Sequence, residues 1–315
     1  MYSSTYDKTN DIIVSQNFLK MRKLLVLTLL SNILFHQSIK AQYYFYNEKF
    51  YDKPLVFDLG PTFGVMNALT DLGKLDWKSV KPSAGFYILA MFHEKIGLRL
   101  ETTFGEVSGA DSLLKSTATK SGSRYENNLS FKSKIADFQL AAEIHPLMFR
   151  DYNESSPPRL SPYGVIGFGY YSFNPQANLN GQWYSLQPLR TEGQGFKEYP
   201  THKPYQLSQF NITGGMGVKY EISSQFTARL EANYRYLFTD YLDDVSTTFI
   251  DPTLFNNYLP ANLASLAMQL YNRKGELKPN GVTNPGDQRG GEKTNDSFFT
   301  IQLKVGIVIG RIRRY

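Results

Sequence analysis

Apolar and polar side chains alternate with period two along several stretches of about ten residues, the spacing that sorts them onto the two faces of a β-strand. In the first stretch Leu55, Phe57, Leu59, Phe63 and Val65 share one face, and Val56, Asp58, Gly60, Thr62 and Gly64 the other. Residues 96–104 set Ile96, Leu98, Leu100 and Phe104 against Gly97, Arg99, Glu101 and Thr103. Residues 226–238 set Phe226, Leu230, Tyr234 and Phe238 against Thr227, Arg229, Glu231 and Arg235. Residues 299–309 set Phe299, Ile301, Leu303, Val305 and Ile307 against Thr300, Gln302, Lys304 and Gly306. Weaker alternation marks 82–93, 129–144, 162–173 and 207–222. Within 129–144, Leu129, Phe131 and Ile135 lie on one parity, and Phe138, Leu140, Ala142 and Ile144 on the other. Such a switch is what a β-bulge produces. The total is eight strands.

Their connections sort by length. Long polar segments, 66–81, 105–128, 174–206 and 239–297, follow strands one, three, five and seven. Strands two and six are followed only by Glu94-Lys95 and Ser223-Ser224-Gln225, and strand four by the Pro-containing 146–161. Short turns at one end and long loops at the other are expected of an outer-membrane barrel, the turns being periplasmic and the loops extracellular. The pattern therefore predicts an all-β fold, an eight-stranded antiparallel transmembrane β-barrel spanning 54–315. Hydrocarbon requires every backbone polar group to be paired, which only helices and closed sheets achieve.

An eight-stranded barrel is about wide enough to be filled by side chains. The polar face would place Arg99, Glu101, Glu143, Lys219, Glu221, Arg229, Glu231, Arg235 and Lys304 inside, a mixed-sign set suited to a neutralising network that plugs the lumen. A charge-selective pore is the alternative. A lipocalin-like barrel reverses the two faces, and alternation alone does not assign them. Loop sorting, the charged second face and the lack of cysteine favour the membrane.

Composition alters the picture at the amino end. Met21-Arg22-Lys23, the apolar run Leu24–Leu30 and Ile39-Lys40-Ala41 follow the order of a secretory signal. Residues 1–20 are expected to be a leader or an over-extended start, 21–41 a signal peptide, and 42–53 a periplasmic segment. Export would lower the formal charge from +6 to +3, since residues 1–41 hold five basic and two acidic side chains. Only Arg311, Arg313 and Arg314 then cluster, so nucleic acid is not an expected partner. The 22 Tyr, 22 Phe and 24 Gly suit strands with aromatic girdles and close backbone contacts.

Candidate chemistry is sparse. Asp240, Asp243 and Asp244 leave strand seven together and offer carboxylates for Ca²⁺, but their spacing is not that of an EF-hand, and a turn with solvated acids is the plainer account. His93 and His145 fall near short-turn strand ends and His202 in a long loop, with no serine placed beside any of them. Catalytic residues, cofactors and enzymatic activity are accordingly not expected. Gly164-Val165-Ile166-Gly167-Phe168-Gly169 opens no helix and reads as strand rather than nucleotide loop. Asn174–Phe196 is rich in Gln, Asn, Gly and aromatics, and Ala261–Tyr271 carries Leu263, Leu266, Ala267 and Leu270 at helical spacing. These loops are where function is expected to reside.

Four passages carry a family resemblance: Phe57–Gly73 (FDLGPTFGVMNALTDLG), Glu101–Ser112 (ETTFGEVSGADS), Asn127–Phe131 (NNLSF) and above all Leu237–Thr247 (LFTDYLDDVST). They resemble a family of outer-membrane β-barrels from Bacteroidota-type bacteria, itself similar to the small barrel subunit of the type IX secretion and gliding machinery. The last strand and Tyr315 also resemble the terminal signal of outer-membrane barrels. The resemblance implies a non-enzymatic barrel that anchors or organises a cell-envelope assembly, with lipid and a periplasmic or outer-membrane protein as partners. A passive small-solute pore or a surface-binding barrel is the alternative, and an outer-membrane lipid hydrolase a minor one.

Overall fold

The computed structural model describes residues 55–73, 76–113, 124–150, 158–291 and 294–310. The leader, signal and 42–53 expectations and the Arg311–Tyr315 end lie outside them. Among the described residues ten strands form in chain order: β1 Leu55–Leu69, β2 Lys81–Phe92, β3 Ile96–Ala110, β4 Ser130–Ile144, β5 Leu160–Ser172, β6 Pro175–Leu179, β7 Gln182–Ser185, β8 Ser208–Glu221, β9 Phe226–Leu237 and β10 Ser297–Ile309. Eight of them, β1 to β5 and β8 to β10, pair antiparallel with their neighbours in a ring. The pairing of β1 with β10, from Phe57 opposite Ile309 to Leu69 opposite Ser297, closes it. Closure leaves this barrel no unpaired edge. The fold expected from the alternation is the fold observed.

The structure also assigns the two faces. Leu98, Ile166 and Met216 point outward and are 51%, 64% and 72% exposed, whereas Arg99, Lys304 and Thr213 on the inward parity are fully buried. This is the reverse of a lipocalin.

The expected bulge in the fourth strand is absent. β4 pairs with β3 in one unbroken register from Ile96 opposite Ile144 to Ala110 opposite Ser130. Phe131 and Ile135 point inward like Asp137 and Glu143 below them. What changes is the chemistry of the interior: charged and amide side chains fill the middle, while Met66, Val107, Phe131, Ile135, Tyr171, Leu237 and Phe298 form an apolar plug at the loop end. The same inversion hid the true lengths of β1 and β3, which run to Leu69 and Ala110, past the starts expected for loops one and two. Beyond the apolar outer band the strands continue with apolar residues inside.

Loop three is not irregular either. It contains the β6–β7 hairpin, closed by Asn180-Gly181 with φ of 51° and 87° and attached to β4 through Lys132–Gln176. Asn-Gly is the residue pair that two-residue hairpins favour. Loop four holds three helices, α1 Phe255–Tyr258, α2 Ala261–Leu270 and α3 Lys274–Leu277. α2 matches the helical spacing read at Ala261–Tyr271.

Close approach across the lumen tests this packing. A Cβ on Gly306 would stand 1.9 Å from an Asp58 carboxylate oxygen, 2.2 Å from the Tyr87 hydroxyl and 2.6 Å from that of Thr227, whereas one on outward-facing Gly214 meets nothing within 4 Å. Gly306→Val is expected to abolish the heat-shifted gel band of refolded protein, and Gly214→Val to leave it intact; equal behaviour of the two would contradict the inward assignment of β10.

Candidate functional site

Strand parity brings all nine residues of the expected charge network into the lumen. Arg99 on β3 is the hub. Its guanidinium pairs with Glu231 on β9 at 2.7 and 2.9 Å, with Glu101 at 3.1 Å, and with Glu143 on β4. Glu143 also accepts from Arg229 at 2.8 Å, and Arg229 reaches Asp58 on β1 at 2.8 Å. Lys304 on β10 closes the circuit to Glu101 at 2.6 Å and Glu231 at 2.9 Å. Tyr163 and Tyr87 donate to Glu231 and Asp58 at 2.7 and 2.9 Å. Lys219 forms a separate group at the short-turn end with Glu221 at 3.1 Å and Glu94 at 3.0 Å. Towards the loops, Arg235 pairs with Asp137 at 2.7 Å and donates to Thr300.

Asp58, Asp137 and Glu94 belong to these pairings but were not among the expected members. Asp58 lay in plain view on the polar face of the first strand. Asp137 was obscured by the change of interior chemistry along β4, and Glu94 by its place in a turn. A charge left unpaired here would cost several kcal/mol. Multiple pairing and hydroxyl donors are what make the arrangement tolerable, and its members are shut off from solvent.

A serine does stand beside a histidine, contrary to expectation. Ser161 Oγ lies 3.3 Å from His145 Nδ1, and His145 Nε2 lies 3.3 Å from Glu143. The three residue types are those of a hydrolytic triad, but the ring is turned the other way: in a triad Nε2 faces the serine and Nδ1 the acid. All three residues are also fully buried, His145 stacks on Tyr163 at 4.9 Å, and Glu143 is held by two guanidinium groups. No substrate carbonyl can reach Ser161, so this set is a packing element.

The second assembly is a clasp over the loop end. Asp240, Asp243 and Asp244 do not form the solvated turn envisaged. Asp243 and Asp244 are buried, and each carboxylate is turned to a different partner. Asp243 accepts from the Leu72 amide of loop one at 2.8 Å and from Val245 N at 3.0 Å. Asp244, at φ 65°, accepts from Thr191 at 2.5 Å and Tyr205 at 2.6 Å in loop three. Asp296 takes the Leu242 amide at 2.8 Å, and Asp71 that of Gly291 at 2.5 Å. Arg289 joins Glu192 at 2.8 Å, and Glu192 also receives Ser246 N and Thr247 N. Among the described residues no three acidic or histidine side chains converge as a metal site would require.

Among the described residues Arg289 is the cation set among these acids, pairing with Glu192 and approaching Asp244 at 3.9 Å. Burial, then Asp71, pushes the Asp243 carboxyl up to about 7. Burial raises Asp240 to about 8, with Asp71 and Asp243 adding to the shift, and Asp244 to about 6 despite Arg289. Asp296 is raised as well, by burial and by Asp243 and Asp240.

Above the clasp, loops three and four share an apolar core of Leu189, Phe196, Ile250, Phe255, Ala267 and Leu270. Phe196 stacks on Tyr258 at 4.1 Å. His202 is buried in this cap, its Nδ1 2.6 Å from the Glu192 carbonyl oxygen, whereas His93 is exposed at the β2–β3 turn. Neither touches a candidate nucleophile.

No protein-family model matches the sequence, and none of the curated proteins matches it. Among solved structures, the chain is similar to Ail, the attachment invasion locus protein of Yersinia pestis, crystallised with the heparin analogue sucrose octasulfate (11% identity, 82% of this chain and 100% of that one, TM-score 0.36). It is similar to a major outer membrane protein of Thermus thermophilus (11%, 82% and 100%, 0.37) and to the outer membrane protein OprG of Pseudomonas aeruginosa (10%, 81% and 95%, 0.34). The closed barrel itself follows from this chain's own strand pairing.

Two outcomes follow for the lattice and the clasp. Arg235→Met, which strands Asp137, is expected to lower stability in urea by about 3–5 kcal/mol, and Asp137→Asn in the same chain to restore at least half of it; additive losses would contradict direct pairing. Because burial raises the carboxyls of Asp240, Asp243, Asp244 and Asp296 above their ordinary value, the closed clasp holds protons that an opened one releases. Its stability is greatest below about pH 4 and falls as pH rises through 7 and 8. Proteolysis of loop four should accelerate from pH 5 to 8, and Asp243→Asn should flatten that dependence; a rate that falls with pH would contradict it.

Proposed function

We propose that this chain is a non-enzymatic outer-membrane β-barrel with a closed lumen, working through the loop cap it displays at the cell surface. The observation that carries this reading is the pairing of an apolar exterior with a charged, solvent-free interior. Crossing a bilayer takes a strand of about 9–11 residues, and the shortest barrel strands, β2 and β9, have 12. The outward aromatics gather near both ends, Tyr170, Phe210, Tyr236 and Phe238 towards the loops and Phe92, Tyr220 and Phe226 towards the turns. That placement suits the two membrane interfaces. Arg99, Arg229, Arg235 and Lys304 are at most 1% exposed, which counts against a water-filled solute pathway.

With the lumen closed, the surfaces left for function are the cap and the short turns. The finer reading is an anchor or organiser of a cell-envelope assembly related to type IX secretion. It rests on the resemblance of Leu237–Thr247, the segment that builds the clasp. A barrel that binds surface ligands is the second reading, favoured by the ordered cap.

Purified in mild detergent from outer membranes, the protein should shift on heating in gels and show no discrete conductance in a planar bilayer. A stoichiometric envelope protein in the same preparation would support the organising role. Stepwise single-channel currents would refute the closed lumen, and recovery of the chain as a soluble periplasmic protein would refute the membrane assignment.

A further inference from the structure

Loops three and four enclose a cavity of about 360 Å³ at the top of the cap, with Arg190, Gln194, Pro188, Pro204, Tyr258 and Leu259 in its wall. Three independent features single it out. Arg190 ends the 3-10 turn Gln187–Leu189 in a left-handed backbone (φ 49°, ψ 51°), a conformation uncommon for a non-glycine residue, and this fixes the direction in which its side chain leaves the chain. Its guanidinium, lying beside Gly195, has no hydrogen-bond or ion-pair partner among the described residues. Gln194 is 2% exposed; its oxygen accepts from the Glu192 amide at 3.2 Å, while its nitrogen is buried with no partner at all. An unpaired guanidinium at the cavity and an unpartnered amide nitrogen in the wall behind it leave this side of the cap short of acceptors.

The wall sets the chemistry of that acceptor. It contains no carboxylate, so a cationic or zwitterionic ligand would find no counter-charge. Arginine's planar fork matches a carboxylate two-to-two. The proline rings, Leu259 and the Tyr258 face offer flat C–H and aromatic surfaces of the kind against which a sugar ring packs. The volume lies at the lower end for ligand pockets, about 300–1,000 Å³, enough for a sugar unit or two. We infer that this cavity binds the carboxylate-bearing sugar of an acidic glycan, with Arg190 donating to the carboxylate and Gln194 buried in the wall behind it. This deepens the surface-binding reading of the cap and rests on it. Tyr205, which also lines the cavity, donates to Asp244 at 2.6 Å and so ties the site to the clasp below.

The test is isothermal titration of the whole barrel in detergent micelles with D-glucuronate, D-glucose and N-acetyl-aspartate amide, with the heat-shifted gel band confirming the fold of each sample. Glucuronate is expected to bind at least about tenfold more tightly than glucose or the aspartate derivative. Arg190→Gly relieves the left-handed strain and is expected to hold or raise the melting temperature while weakening glucuronate at least about tenfold. Arg190→Lys, which keeps charge without the fork, should fall between. Folded protein that binds glucose as well as glucuronate, binds neither, prefers the aspartate derivative, or keeps its glucuronate affinity as Arg190→Gly overturns the site and leaves the barrel standing. A chain without the heat shift would instead overturn the barrel reading beneath it.

Discussion

Arg99, Arg229, Arg235, Lys219 and Lys304 sit in a lumen that has no room for water around them, and each is held by carboxylates from other strands or from its own. Paired charges in such a place are tolerated, whereas a single unpaired one is severely destabilising. The lattice therefore constrains every strand that contributes to it. A register slip of one residue would turn a whole strand's charges to the outside and its apolar residues inward. Asp58, Arg99, Glu143, Arg229 and Lys304, drawn from five strands, must all arrive together, which makes the closed ring and the filled interior one requirement.

The two ends of the barrel solve burial differently. Inside, opposite charges neutralise one another. At the loop end Asp240, Asp243 and Asp296 lie close together, and their raised carboxyls keep the group tolerable by holding protons. The apolar plug of Met66, Phe131, Tyr171 and Phe298 lies between these regions. Loops three and four then pack on each other through Phe196, Phe255 and Leu270 above the clasp. Rigid scaffolds that carry ordered loops are where binding residues concentrate.

Much of the barrel was legible in the sequence because alternation, strand count and loop sorting report directly on a closed sheet with one apolar face. The inward charges were legible for the same reason. What escaped detection has physical causes. Asp137 and the upper parts of β1 and β3 were missed because the interior turns apolar above the lattice, which inverts the parity signal without bending a strand. The β6–β7 hairpin could have been found from Asn180-Gly181. The Ser161–His145 contact joins two strands across a Pro-rich connection, and the Arg190–Gln194 cavity depends on a helical turn meeting loop four. Neither leaves a periodic trace.

A dry, charge-filled lumen inside an apolar outer wall can be tested directly by thiol accessibility. The chain has no cysteine, so single replacements report without background. Leu230→Cys on the outer face and Asn233→Cys on the inner face of β9 would be placed in liposomes and exposed to a lipid-soluble and a small water-soluble thiol reagent. Cys at 230 is expected to react with the lipid-soluble reagent alone, and Cys at 233 with neither until the barrel is unfolded. Reaction at 233 with the water-soluble reagent in the folded protein would contradict the dry lumen.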